Sequence, residues 1–188
     1  MRTARLSGWG ALRCDAMDTG RLEVPVRVRS RLDLICVPKG VDDVVDAHRW
    51  TSARAEWERS GWLVDGAPTA ELVDGGGASM RLDVPGARVV YANQLGGFRV
   101  WCPACGEGMA RPFAKAMEGA RTGGPLRAQC AACGVESPFE ALKVRPPIRV
   151  GRSALVFEDV NGSTLTDAGS SAVEAVLGAF DVVLRRVS

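Results

Sequence analysis

The chain has 188 residues, 46% hydrophobic and 24% charged, the balance of a globular protein, which argues against extensive disorder and against fibrous or collagen-like organisation. No run of 18 apolar residues is present, so no transmembrane helix is expected, and residues 1–16 lack the continuous apolar stretch of a secretory signal. Lysine and arginine number 24 against 22 acids, a formal charge of +2, well short of the basic excess that holds proteins to nucleic acid by bulk charge.

Residues 1–20 carry no clean periodicity and read as a weakly ordered leader. From 24 to 37 the chain alternates. Val24, Val26, Val28, Leu32, Leu34 and Cys36 fall on one side, and Arg27, Arg29, Arg31 and Asp33 on the other. That pattern predicts a half-buried strand bent near Ser30, with an arginine face open to a partner. Cys36 reads as a buried small hydrophobe. Residues 41–60 read as helix, opened by the acids Asp42-Asp43 and ended by Ser60-Gly61. Val41, Val44, Val45, His48, Ser52 and Ala55 share one face, which places the only histidine, His48, in the core. Trp50 and Trp57 fall nearly opposite. Either the helix restarts at Thr51-Ser52, or it presents two tryptophans to a second surface, within the chain or on a partner.

Short strands are predicted at 62–64, 80–84, 88–91 and 98–101. The intervening Asp74-Gly75-Gly76-Gly77 is a loop, and no Gly-Lys-Ser/Thr follows to make it a phosphate loop. Of the six cysteines, Cys14 and Cys36 stand alone. The others form two C-x-x-C pairs, Cys102-Pro103-Ala104-Cys105 and Cys130-Ala131-Ala132-Cys133, separated by 24 residues and each followed by glycine, Gly106 and Gly134. Two cysteines three apart can turn both sulfurs to one point, and a following glycine accepts the left-handed backbone that closes the turn. Two such knuckles supply four soft donors, the set that zinc takes in closed structural sites.

Over residues 98–140 this arrangement resembles a zinc ribbon. The resemblance implies one structural Zn2+ per chain, held by Cys102, Cys105, Cys130 and Cys133. It implies no single function, because zinc ribbons occur in nucleic-acid machinery, enzymes and adaptors alike. Three other readings of the thiols carry less weight. Disulfides need an oxidising compartment. A redox pair needs a helix opening at the cysteines, where Gly106-Glu107-Gly108 is poor helix. An iron–sulfur cluster would use the same four thiolates.

Between the knuckles, 112–120 predicts a short helix with Phe113, Ala116, Met117 and Ala120 on one side, and Gly123-Gly124-Pro125 a turn before the strand 126–129. Arg145-Pro146-Pro147 reads as a rigid extended joint. A strand over 153–160 puts Leu155 and Phe157 on one face and Val156 on the other. Thr166 or Ser170 caps a helix over 167–178 with the stripe Ala172, Val173, Val176, Leu177 and Phe180, and a strand over 181–187 ends the chain. The order predicts an α+β fold, an antiparallel or mixed sheet with helices on one face. Its two halves, 21–97 and 146–188, flank a zinc-ribbon insert at 98–145.

Catalytic signatures are sparse. There is no G-x-S-x-G elbow, and the carboxylate pairs Asp42-Asp43 and Glu158-Asp159 are explained by a helix start and a strand end. The expectation is therefore a cytoplasmic, non-enzymatic protein that docks on a protein partner, as an adaptor or an inhibitor or immunity-type protein. Trp50, Trp57, Arg27, Arg29 and Arg31 are the candidate contact residues. Nucleic-acid binding is the first alternative. Residues 106–152 hold eight basic residues against four acids, with Phe98, Trp101, Phe113 and Phe139 as candidate stacking faces. Four thiolates around one Zn2+ would, however, bring the whole chain to zero charge. The second alternative is an accessory subunit of an enzyme complex.

Overall fold

The computed structural model describes residues 31–93 and 97–187. The first half holds β1 (Arg31–Pro38), α1 (Ala47–Arg59), β2 (Leu63–Val64), β3 (Ala67–Pro68), β4 (Ser79–Asp83) and β5 (Val89–Tyr91). Then come β6 (Arg99–Trp101), α2 (Ala110–Arg121), β7 (Arg127–Gln129), β8 (Glu136–Pro138), a 3-10 turn (Phe139–Ala141) and β9 (Lys143–Arg145). The chain closes with β10 (Arg149–Gly151), β11 (Ala154–Glu158), α3 (Asp167–Leu177) and β12 (Phe180–Val187). The leader 1–20, Cys14, the alternating residues 24–30 with Arg27 and Arg29, and the turn glycine Gly96 lie outside the described residues.

The fold is α+β. Its spine is a four-stranded antiparallel sheet in the order β12-β1-β11-β4. β1 lies between two neighbours, with Leu34 opposite Phe157 on one side and Leu184 on the other. Leu34, Cys36, Leu155, Phe157 and Met80 face the helices, where Trp57 of α1 and Val173, Val176 and Leu177 of α3 complete the core. Ile35, Val37, Ala154, Val156 and Val183 face the other way, onto Tyr91.

The expected half-buried strand is thus corrected. From Leu34 to Val37 every residue of β1 is sealed on both faces, because β5 covers the side that alternation alone assigned to solvent. Asp33 is buried as well. Its carboxylate takes both the Nε (3.0 Å) and Nη2 (2.7 Å) of Arg185 on β12 and accepts from the Asp159 N–H at 3.2 Å. A buried carboxylate needs such partners, because desolvation otherwise penalises its charge.

The face of α1 is also corrected. The helix starts at Ala47, capped by Asp46, whose Oδ1 accepts from the Arg49 N–H at 2.8 Å. It runs unbroken through Thr51-Ser52. Trp57 is buried and Trp50 and Ala53 pack beside it, while His48, Ser52 and Ala55 are exposed. Two indoles bury more apolar area than a stripe of small residues, and they decide which side meets the sheet. Asp42 and Asp43 precede the helix instead of opening it. Asp42 pairs with Arg88, whose Nε donates at 2.8 Å, and the Asp43 carbonyl accepts from the Ser153 hydroxyl at 3.0 Å.

For α3 the cap is Thr166, whose Oγ1 accepts from the Gly169 N–H at 2.8 Å. Gly169 is required there, because a Cβ would overlap the Leu72 carbonyl oxygen. Among the described residues no helix is long and apolar enough to cross a membrane.

A second core forms around Val100, Met109, Phe113, Ala128, Phe139 and Leu142, joined by Ala92, Ile148 and Val150. It sits beneath the two cysteine knuckles.

Candidate metal centre

Each knuckle is a tight turn at the end of a short strand. β6 pairs antiparallel with β9 and delivers Cys102; β7 pairs antiparallel with β8 and delivers Cys130. The two turns repeat one hydrogen-bond pattern. The Cys102 N–H donates to the Glu107 carbonyl (2.8 Å) and the Gly106 N–H to the Cys102 carbonyl (2.9 Å). In the second turn the Cys130 N–H donates to the Val135 carbonyl and the Gly134 N–H to the Cys130 carbonyl, both at 2.9 Å. Gly106 and Gly134 both have φ +74°, a left-handed backbone that a side chain would strain.

The first cysteine of each pair is buried, with Cys102 and Cys130 each 1% exposed, and the second of each, Cys105 and Cys133, reaches the surface. The cluster is therefore half sunk into the second core. Cys102 Sγ lies 3.7 Å from Cys133 Sγ, and Cys105 Sγ lies 3.7 Å from Cys130 Sγ. All four sulfurs fall within 4.8 Å of one another. A disulfide would bring two sulfurs to ~2.05 Å, and these cysteines are free thiols. A tetrahedron with ~2.3 Å metal–sulfur bonds has edges of ~3.8 Å. The four cysteines are arranged to bind a metal ion. The first pair also does not open a helix, since α2 begins only at Ala110.

The two thiols of the first knuckle are shifted in opposite directions. The Cys105 N–H directed at the Cys102 sulfur, with the Ala104 N–H and the Cys105 and Cys133 thiols assisting, brings Cys102 down to about 7. The Glu107 N–H favours the Cys105 thiolate, but the crowded sulfurs of Cys133, Cys102 and Cys130 outweigh it, and Cys105 is pushed up to about 12. Like charges a few ångströms apart cannot all form unaided, whereas a dication placed among them favours every thiolate at once.

The core beneath is aromatic. Phe113 packs on Phe139 at 5.2 Å between centroids and on Phe98 at 5.6 Å. Phe113 and Phe139 are buried, so neither offers a face to a nucleotide base; Phe98 and Trp101 are half-buried. The α2 stripe expected from the sequence turns into this core, and the helix spans Ala110–Arg121.

Of the residues read as partner contacts, Trp57 is 4% exposed and belongs to the main core. Trp50 is half-buried and meets it edge-on at 6.0 Å. Arg31 is exposed at the start of β1. One carboxylate of each pair weighed as catalytic is engaged: Asp42 by Arg88, and Glu158, which accepts from Ser79 Oγ (2.6 Å) and Arg81 Nε (3.0 Å).

Sequence reasoning missed the strands β3, β8, β9 and β10 and the Asp33–Arg185 pair. These strands are two or three residues long, too short for a periodic signal. The ion pair joins residues 152 positions apart, which no local pattern reports. No family model, curated protein or solved structure matches this chain.

Proposed function

We propose that the chain is a non-enzymatic, zinc-stabilised binding protein that docks on a protein partner, as an adaptor or an inhibitor of immunity type. The observation that supports this reading is the closure of the cysteine site. Four protein sulfurs lie within 4.8 Å of one another, and as thiolates they would fill all four positions of a tetrahedral ion, leaving none for substrate or water, so the ion would scaffold rather than react. Zinc fits the all-sulfur donor set and the 3.7 Å sulfur spacing. Cysteines free of disulfides support a cytoplasmic location.

Trp50 and the arginines Arg27, Arg29 and Arg31 are assigned to the partner contact, with Trp57 supporting Trp50 from beneath. Native mass spectrometry is expected to give one zinc per chain. Cross-linked affinity isolation from the host is expected to retain a specific protein with the wild type, and to lose it with Trp50→Ala or with Arg27, Arg29 and Arg31 changed to Glu. Recovery of no specific protein by the wild type refutes the docking role.

One observation favours nucleic acid as a second reading. Arg111, Lys115, Arg127 and Gln129 line a single groove of about 810 Å³ between α2 and β7, together with Glu136, which pairs with Arg127 at 3.1 Å. Burial of Phe113 and Phe139 counts against it. Binding to random DNA or RNA that weakens steeply with salt would move this reading ahead of the first.

A further inference from the structure

β12 is the outermost strand of the four-stranded sheet, and its outer edge pairs with no other strand among the described residues. An open edge offers a row of N–H and C=O groups to any strand that approaches, and proteins usually blunt it with a bulge, a proline or a very short strand. β12 has none of these three; the remaining usual device, charged side chains, is present as Asp181, Arg185 and Arg186, and the first two are of opposite sign. The strand runs eight residues in unbroken register against β1 and holds no proline. Val182 and Leu184, each 38% exposed, stand opposite Cys36 and Leu34 on the helix side of the sheet.

The hydrogen bonds show which backbone groups are open. The Arg186 N–H donates outward, to Asn93 Oδ1 at 3.4 Å, while at the other end the Lys39 N–H donates to the Ala179 carbonyl at 2.9 Å. Odd-numbered residues of β12 therefore exchange bonds with β1, and even-numbered ones point outward. Asn93 closes the edge at Arg186, and 181–185 meet no further strand among the described residues.

We propose that a second copy of this chain pairs with 181–185 antiparallel, about a two-fold axis through Val183, joining two sheets into one of eight strands. Three constraints select this register. First, the backbone groups of Val182 meet those of the partner's Leu184, and those of Leu184 meet the partner's Val182, so the outward-pointing residues pair with one another. Second, the exposed apolar side chains of the two edges cover each other. Third, on the opposite face Asp181 comes to lie beside the partner's Arg185, and Arg185 beside the partner's Asp181. Opposite charges directly across a strand pair stabilise it, and their complementarity fixes the register. Asp181 already accepts from Arg149 through Oδ2, and Arg185 already donates to Asp33 through Nε and Nη2. The Oδ1 of Asp181 and the Nη1 of Arg185 make no hydrogen bond among the described residues.

Neighbouring registers do worse. A slip one way sets Val182 against the partner's Arg186, whose N–H already bonds Asn93. A slip the other way leaves Asp181 opposite the partner's Val183 and loses both charge pairs. In the selected register both helical layers lie on one side of the joined sheet. A pairing of five residues buries less than a standard interface, so the dimer belongs to the weak class that fills at micromolar concentration.

The test is sedimentation equilibrium of the full metal-loaded chain at up to about 100 µM. A mass twice 20.0 kDa is expected for the wild type, and a single-chain mass for Val182→Lys/Leu184→Lys. The two changed side chains are exposed, so thermal melting of this variant is expected to match that of the dissociated wild type. Register is read separately under mild oxidation. In a Cys36→Val background, which removes the thiol standing across from position 182 within the chain, Val182→Cys mixed with Leu184→Cys should form a cross-linked pair that neither variant forms alone, since Cα atoms of a bonded antiparallel pair stand ~5.5 Å apart, within disulfide reach. A wild type that stays single at every concentration overturns the proposal. So does a dimer that survives the lysine substitutions, or equal cross-linking by either cysteine variant alone.

Discussion

Cys105→Ser probes the metal centre with the least disturbance elsewhere. The residue is exposed and lies outside both hydrophobic cores, so exchanging sulfur for oxygen removes almost no buried apolar surface. On packing grounds alone the change costs under about 0.5 kcal/mol. With an ion bound the cost is much larger. Structural zinc contributes an apparent ~10–16 kcal/mol, which averages ~2.5–4 kcal/mol over each of four thiolates. A loss of ~3 kcal/mol lowers the melting midpoint of a protein of this size by ~6–12 °C. The assay is calorimetric melting with and without a strong chelator. Chelation should lower the wild-type midpoint by more than this amount, and metal-supplied Cys105→Ser should melt between the loaded and the chelated wild type, ~6–12 °C below the former. Cys36→Ser provides the contrast, because Cys36 is buried in the main core away from the cluster. Its hydroxyl, placed among apolar neighbours, should cost ~1–3 kcal/mol equally with and without chelator. A metal-loaded Cys105→Ser that melts with the loaded wild type would refute the claim that the ion holds this part of the chain together.

Phe139→Ala should cost ~3–5 kcal/mol in urea unfolding, since the ring is fully buried and stacked on Phe113 beneath the knuckles. Asp33→Ala leaves the Arg185 guanidinium without its carboxylate and should cost ~3–5 kcal/mol, whereas Asp33→Leu combined with Arg185→Leu should recover most of that loss. Glu158 supplies a pH test. The Ser79 hydroxyl and then Arg81 hold its carboxyl below the ordinary value of 4.5. Its contribution is therefore complete above pH 4.5 and is lost as pH falls through the lower folded-state value. Denaturant titrations should show wild-type stability falling more steeply below pH 4.5 than that of Glu158→Gln; parallel acid limbs would remove Glu158 from the account.

The two ends of the chain's chemistry were legible to different degrees. The cysteine pairs were readable because metal-site geometry is local. Three residues and a glycine make a knuckle wherever they stand, and only the meeting of two knuckles needs the fold. The α3 stripe was readable for a similar reason, as Val173, Val176 and Leu177 dominate its face and all three are buried. For α1 the same method favoured the wrong side. Its mean composition is polar, and two tryptophans outweighed a longer row of small residues.

By itself the sequence determined the α+β class, the positions of most helices and strands, and the four sulfurs, because each depends on backbone propensity and spacing within a few residues. Tertiary structure alone decided that β1 is sealed on both faces, that Asp33 is buried against Arg185, that His48 is exposed, and that β12 is the end strand of the sheet among the described residues. Burial of a residue is a property of whatever packs against it. When that element lies a hundred or more positions away, no local pattern in the chain records its arrival.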